Sequence, residues 1–391
     1  LLFGLAMSNH SAFLLLCSIG GLAIFSSTIA KNPVLPILAQ QLGANPATIG
    51  AIAASSTLTG ILASFPAGLL SDYWGRKPLL MFAGVVFCSA PLAYLLVFNP
   101  WQLGLVRGYH GLATAILSPV AMAYVTDLAP THKGERLGWY SSFTLAGRAL
   151  APVVGGLFLT VSTWQSVYVV CAIVGILTLV GIKLLPQTKT KRNRKIRQIN
   201  STLPAIRTVL SHRMILITSL VEAAQFLAFG AVETFLPLYA LSIGIDKATV
   251  GLIFASQVGI KVLARPLMGR MSDRYGPKRQ IVVGLLLTSV AMWFLCQVKS
   301  VVLLLLISAV FVLGIAISSA ATSAFVADLA PVDSRGTALG IMSAIMDVGQ
   351  ASGPVFLGFL LMHTSYQIGF TVVGGLLLAS SILFALIATK T

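Results

Sequence analysis

The sequence predicts an all-α integral membrane protein: twelve transmembrane helices in two pseudo-symmetric six-helix bundles, with N- and C-termini cytoplasmic. Three observations carry that prediction: composition, the recurrence of long apolar runs, and an internal repeat. Of 391 residues, 57% are apolar and 9% charged, against about 45–50% and about 25% in ordinary globular domains. The mean hydropathy is +0.92. A water-exposed surface built from so few charges would carry large apolar patches and aggregate.

A helix needs about 20 mostly apolar residues to cross a bilayer. Twelve segments qualify, near 11–39, 47–70, 79–98, 101–126, 136–160, 165–186, 213–242, 248–270, 280–298, 301–326, 336–362 and 366–388. Nothing between them is long enough for a soluble domain. A β-barrel is excluded, because its strands are about ten residues of alternating polarity and these runs are longer and continuously apolar.

Lys and Arg set the orientation, since short basic loops stay cytoplasmic. With the N-terminus inside, cytoplasmic loops hold Arg76, Lys77, Lys133, Arg136, Arg270, Arg274, Lys278, Arg279 and Arg335, and outer loops only Lys247 and Lys299. The segment 187–212, followed by Arg213, adds seven further Lys and Arg residues and no acid. A net charge of +16 raises the question of nucleic acid. Its placement answers for a topology-fixing linker lying on anionic lipid. The predicted divisions are an N-terminal bundle at 1–186, a basic cytoplasmic linker at 187–212 and a C-terminal bundle at 213–391. The chain begins at Leu1 rather than Met, so its natural start is expected upstream, and no signal peptide is recognisable.

The two halves repeat. Gly68-Leu-Leu-Ser-Asp72-Tyr-Trp-Gly75-Arg76-Lys77-Pro78 follows the second span, and 201 residues on Gly269-Arg-Met-Ser-Asp273-Arg-Tyr-Gly276-Pro277-Lys278-Arg279 follows the eighth. Asp127-Leu-Ala-Pro130 returns at the same offset as Asp328-Leu-Ala-Pro331. Gly147, Ala151 and Pro152 of the fifth span are answered by Gly349, Gly353 and Pro354 of the eleventh. Duplication explains three ordered matches at nearly one offset.

The pattern Gly-x-x-x-Asp-x-x-Gly-Arg-Lys, carried by Gly68, Asp72, Gly75, Arg76 and Lys77, resembles the signature of the major facilitator superfamily. The resemblance covers the whole chain and implies the major facilitator fold. A closer resemblance is to the twelve-helix drug:proton antiporters of the tetracycline and multidrug exporter type. It rests on Arg107 and Gly111 in the fourth span, and on Gly147, Pro152, Gly155 and Gly156 in the fifth. Ala151, Arg148 and Lys31 depart from that pattern, the last standing where many multidrug exporters keep an acid. These departures point away from a cationic drug.

The loop motif has a mechanical reading. Gly68 leaves room for helix approach, Asp72 suits the N-terminal end of the eleventh span, and Arg76 is placed to pair with Asp127. The resemblance implies that these contacts latch the cytoplasmic side and open during transport. Alternatively the charges are solvated and only fix topology. Asp273 and Asp328 form the second copy, where Pro277 replaces the Arg76 equivalent, so that latch is expected to be weaker or to use Lys278. Pro152 with Gly147, Gly155 and Gly156 reads as a bent, closely packed helix whose freed carbonyl neighbours satisfy.

Charges at bilayer depth cost several kcal/mol and face a cavity or a partner. Lys31, Arg107, Arg148, Lys261 and Arg265 stand against Glu222, Glu233 and Asp347. Helical spacing puts Gln257, Lys261 and Arg265 on one face, Glu222 and Glu233 on another, and Ser343, Asp347 and Gln350 on a third. At ~1.5 Å per residue, Glu222 lies roughly 13 Å and Glu233 about 30 Å along the seventh span. Lys31 reaches a similar depth in the first, so Lys31 and Glu233 are expected as an outer gate pair. Glu222, Asp347, Arg148 and Lys261 are left near the midplane to share a binding cavity, with Glu222 and Asp347 the candidate proton carriers. The plainer alternatives are a permanent buried ion pair, especially for Glu233, and snorkelling for Arg265. Arg107 either binds backbone carbonyls or takes the coupling role that the resemblance implies, and His110 reads as a packing residue.

No phosphate-binding Gly-x-x-x-x-Gly-Lys-Ser/Thr loop occurs, and no cofactor motif or catalytic Ser/His/Asp set. Cys17, Cys88, Cys171 and Cys296 sit singly in apolar runs without metal-ligand spacing. The expectation is therefore not an enzyme, and no cofactor or metal. It is a gradient-driven transporter working by alternating access, most simply proton-coupled efflux by antiport of a small amphiphilic, anionic or zwitterionic compound. The alternatives are organic-anion uptake or exchange without a proton, and a ligand-binding membrane sensor without net transport. Expected partners are a small-molecule substrate, the proton and membrane lipid, not nucleic acid. The chain is expected to act as a monomer, multi-pass in the cell (plasma or inner) membrane.

Overall fold

Helix follows helix along the chain, with no strand among the described residues. The structure is a computed structural model that describes residues 8–128, 132–187, 206–331 and 334–388, and only the backbone at 265, 266, 269 and 273. Most of the linker expected at 187–212, and the side chains of Arg265 and Asp273, therefore lie outside the described residues. In order, the helices are α1 Asn9–Ile29, α2 Val34–Gln41, α3 Pro46–Trp74, α4 Arg76–Tyr94, α5 Pro100–Leu128, α6 Lys133–Val161 and α7 Trp164–Leu184. They continue with α8 Arg213–Ser242, α9 Lys247–Tyr275, α10 Pro277–Leu295, α11 Val301–Leu329, α12 Arg335–Leu360 and α13 Tyr366–Ala388.

Eleven stretches among the described residues are long and apolar enough to cross a membrane, counting Asn9–Gln41 as one. The twelfth, α12, has 26 residues and so the length to cross, but Asp347, Gln350 and its Ser and Gly residues dilute its apolarity. Large apolar side chains such as Leu62, Phe65, Phe98, Trp101 and Leu263 are exposed, as a lipid-facing surface requires.

The first predicted span is not one helix. It breaks after Ile29, where the Lys31 and Asn32 amides turn back to the Thr28 carbonyl at 3.1 and 2.8 Å. Pro33, which has no N–H to donate, precedes α2. Pro66, Pro91, Pro119, Pro152, Pro237 and Pro354 all sit inside unbroken helices.

The chain divides into two compact units, Leu1–Gly43 with Ser55–Arg192 and Ala44–Ala54 with Asn193–Thr391. The start of α3 thus groups with the second unit, where a Cβ on Gly50 would lie 2.1 Å from the Pro354 carbonyl oxygen.

The duplication extends to the turns. Gly43 and Gly244 have φ of 80° and 87°, and Gly75 and Gly276 have 93° and 82°, a left-handed region that side chains disfavour. Both pairs are 201 residues apart. The following caps also match: Asn45 Oδ1 accepts from the Thr48 amide at 2.8 Å, and Asp246 Oδ1 from the Thr249 amide at 2.9 Å.

Both units have seams of close helix approach built on small residues. In the first, a Cβ on Gly147 of α6 would lie 2.2 Å from the Gly21 carbonyl oxygen of α1. Ala151, Pro152, Gly155 and Gly156 are buried along α6. In the second, Cβ atoms on Gly349 and Gly353 of α12 would lie 2.2 and 2.0 Å from the Ala223 and Leu227 carbonyl oxygens of α8. Small residues let membrane helices meet backbone to backbone.

Candidate functional site

In the second unit, α8 carries Glu222, Gln225, Phe226 and Phe229 at spacings that share one helix face. Glu222 is 2% exposed, and both its oxygens are held from α11. Ser319 Oγ donates to Oε1 at 2.6 Å and Thr322 Oγ1 to Oε2 at 2.8 Å. One turn along α8, Gln225 Nε2 reaches Thr288 Oγ1 of α10 at 3.3 Å and the Gly314 carbonyl of α11 at 3.4 Å. Ser318 donates to its Oε1.

Lys261 of α9 faces the same stripe. Its Nζ lies 5.2 Å from the Phe226 ring centroid and 5.1 Å from that of Phe229, within cation–π range of both. It also lies within electrostatic reach of Glu222. An acid, a cation and two aromatic faces are therefore gathered on one side of α8. A buried carboxylate without partners would be prohibitively costly; this one has two hydroxyls and a nearby ammonium.

The other expected charges are distributed as follows. Glu233, also on α8, is half-buried and accepts from Gln350 Nε2 of α12 at 3.4 Å. The two acids of α8 thus border different helices despite sharing a face. Asp347, one turn before Gln350, is half-buried. Lys31 lies in the break between α1 and α2 of the first unit. Arg148 is exposed on α6, beside the buried Gly147. Arg107 of α5 is 4% exposed, and a Cβ on Gly111, one turn on, would lie 2.8 Å from Ser56 of α3.

At the loop motif, Arg76 Nε donates to Asp127 Oδ2 at 3.0 Å and its NH1 to Ser71 Oγ at 2.7 Å, and Asp72 also pairs with it. Lys77 Nζ caps the end of α7 through the Lys183 and Leu185 carbonyls at 2.8 and 2.5 Å. One expectation needs correction. Lys278 does not replace Arg76: its Nζ donates to the Ala388 carbonyl of α13 at 2.9 Å. The open carbonyls of a helix C-terminus draw a lysine, so Lys278 does the work of Lys77. Asp328 is exposed, and Asp273's side chain lies outside the described residues.

Sequence reasoning missed Ser318, Ser319, Thr322, Gln225, Thr288 and the paired Phe226 and Phe229. One signal was available: Ser318, Ser319, Thr322 and Ser323 cluster in α11, otherwise the most apolar span of all.

The model of the Major Facilitator Superfamily matches residues 16–249 and again 218–391. An uncharacterized MFS-type transporter of Methanocaldococcus jannaschii is 26% identical over 333 residues, 84% of this chain and 86% of the relative. The multidrug resistance protein MdtG of Salmonella typhimurium is 26% identical over 370 residues, 90% and 89% of the two chains. Among solved structures, a variant of the nucleoside transporter NupG superposes with a TM-score of 0.82 at 16% identity, over 95% of this chain and 98% of that one. A D-xylose–proton symporter superposes with a TM-score of 0.76 at 18% identity, over 96% and 97%. The solved structures share the fold, and the family match spans both repeats: the chain belongs to the Major Facilitator Superfamily and is a multi-pass transporter of the cell membrane.

Proposed function

We propose that the chain is a proton-coupled antiporter that exports a small amphiphilic zwitterion by alternating access. The observation that carries this reading is the Glu222 carboxyl, 2% exposed and bonded at both oxygens to hydroxyls. A hydroxyl both donates and accepts. Ionised, Glu222 accepts from Ser319 and Thr322; protonated, it donates to one and still accepts from the other. The site thus keeps its hydrogen bonds in either state, which suits a group that takes and releases a proton inside a membrane.

Antiport requires proton and substrate to exclude one another. A cationic or hydrogen-donating group of the substrate competes with the proton for the Glu222 carboxylate, and an acidic group goes to Lys261. The faces of Phe226 and Phe229 suit the apolar part. A purely anionic substrate would bind Lys261 while Glu222 is protonated and would travel with the proton, in the opposite coupling sense. The likeness to multidrug resistance proteins supports efflux. Lys261 by itself favours the rival reading, organic-anion uptake or exchange indifferent to the pH gradient.

The test is flux in vesicles containing the purified protein. The probe is a zwitterionic amphiphile chosen by ligand-dependent thermal shift at two pH values. An imposed proton gradient is expected to drive it against its own gradient, and Glu222→Gln to abolish that drive. Undiminished proton-driven flux in Glu222→Gln removes the proposal. Flux that ignores the gradient in the unaltered protein establishes the rival.

A further inference from the structure

We propose that the first unit holds a buried site for one small inorganic anion of halide size, ligated by Arg107, Tyr94 and His110. The site shares no residue with the Glu222 cluster and does not depend on its role. Tyr94 and His110 are both 0% exposed and Arg107 4%. Four of their polar atoms, Arg107 Nε, Tyr94 OH and both His110 ring nitrogens, have no hydrogen-bond partner among the described residues. Buried polar atoms are nearly always satisfied, and a cluster left open points to an ion or water that belongs there.

The three side chains converge from two helices. Arg107 and His110 are one turn apart on α5 and share a face. The Tyr94 ring, from the end of α4, stands edge-on to His110 with centroids 5.9 Å apart. Arg107 lies within electrostatic reach of both, and beside the Tyr94 hydroxyl, out of line for a well-formed hydrogen bond. Phe87 meets His110 at 5.8 Å, and Tyr168 stacks on Tyr94 at 4.3 Å, so aromatic faces wall the cluster. Tyr168 offers no donor, because its hydroxyl is committed to the Ala30 carbonyl at 3.3 Å.

Charge selects the occupant. A guanidinium does not lose its proton in proteins, and a buried charge requires a counter-charge. Residues 1–187 contain three acids, Asp72, Asp127 and Glu135. Asp72 and Asp127 hold Arg76 at the loop motif, and Glu135 is exposed at the start of α6. Asp127 is about 30 Å along α5 from Arg107. No carboxylate pairs with Arg107 among the described residues. Water would satisfy the open hydrogen bonds but leave the charge uncompensated. An N–H of Arg107, the Tyr94 O–H and the one N–H of a neutral His110 can turn to a bare anion, while the second His110 nitrogen, an acceptor, is left to a water. Walls formed by the Phe87, Tyr94 and Tyr168 rings suit an anion of the size of chloride, bromide or nitrate.

The test uses the purified full chain in detergent, with sodium chloride exchanged for sodium gluconate at constant ionic strength. A ligand bound only by the folded protein raises the unfolding temperature saturably. Chloride and bromide are expected to do so and gluconate, too large to enter, is not. Tyr94→Phe deletes one buried donor to the anion and is expected to raise the half-saturating chloride concentration about tenfold or more. Arg107→Gln is expected to abolish the chloride effect; if it fails to fold, Tyr94→Phe decides alone. Diffuse anion binding to a surface of net charge +16 is untouched by a buried hydroxyl. An unfolding temperature that follows ionic strength whatever the anion, or equal half-saturation in Tyr94→Phe and the unaltered protein, overturns the proposal and leaves water as the occupant.

Discussion

Hydroxyls in membrane helices usually serve their own helix, and α8 shows it: Thr218 donates to the Met214 carbonyl at 2.7 Å and Ser219 to that of Ile215 at 2.7 Å. Ser319 instead reaches across to Glu222, and Thr322 does so while also lying 3.1 Å from the Ser319 carbonyl of its own helix. Nothing in the sequence distinguishes the two uses, because a serine pointing backward and one pointing sideways have the same neighbours in the chain. The ions were legible for the opposite reason: in an apolar run only a partner or a function offsets the cost of a charge. Glu222 and Lys261 therefore stood out, while their hydroxyl and aromatic partners, and the Tyr94–His110 cluster, did not. Thr322→Val preserves shape but leaves a buried carboxyl oxygen without its donor. It is expected to destabilise the protein by about 1–3 kcal/mol, and by much less in a Glu222→Leu background, where there is nothing to satisfy. Thermal unfolding of the four proteins in detergent measures the coupling. Equal losses in both backgrounds would show that the bond contributes nothing.

At the scale of elements, the spans were readable because twenty apolar residues have one use, but their interruptions were not. Prolines such as Pro66, Pro119 and Pro237 lie inside unbroken helices while Pro33 follows the end of one. Whether a freed carbonyl finds a partner depends on neighbouring helices, and those come from distant sequence; at the end of α1 the Ala30 carbonyl takes the Tyr168 hydroxyl. The caps outside the membrane are local and so more predictable. Asp246 opens α9 by accepting from both the amide and the hydroxyl of Thr249, the latter at 2.6 Å. These bonds to Thr249 hold its carboxyl below the usual carboxylate range. A depressed folded-state value stabilises the fold above the unfolded value, about 3.9, and the gain is lost as pH falls through the folded one. Asp246→Ala is expected to cost about 1 kcal/mol at neutral pH. The deficit should shrink on acidification below about pH 4 and vanish once both chains lack the carboxylate. Unfolding compared at pH 7 and pH 3 checks the sign; a deficit that grows on acidification would contradict it.

For the molecule as a whole, one offset of 201 residues relates turns, caps and lysine clamps in the two units, and that symmetry was legible before any coordinates. The chemistry departs from it. Glu222, Glu233 and Asp347 all belong to the second unit, whereas the acids of the first, Asp72, Asp127 and Glu135, lie at the ends of α3, α5 and α6. The loop motifs differ in the same way. Arg76 ties Asp72 at the end of α3 to Asp127 at the end of α5, while Pro277 at the matching position has no side chain able to do so. Substituting a residue in one copy of a duplicated motif should therefore have local effects set by that copy alone. Arg76 and Asp127 are partly exposed, so their pair contributes no more than about 1 kcal/mol, which is a factor of about five in a local opening equilibrium. Arg76→Ala is expected to raise hydrogen–deuterium exchange several-fold around 70–80 and 124–128, with peptides over 271–279 unchanged. Pro277→Arg restores the guanidinium to the second copy and should slow exchange there, provided Asp328 lies within its reach as Asp127 does for Arg76. Exchange that rises in both copies when only Arg76 is altered would mean that the loop ends open together, and the latch would then belong to the whole transporter rather than to one unit.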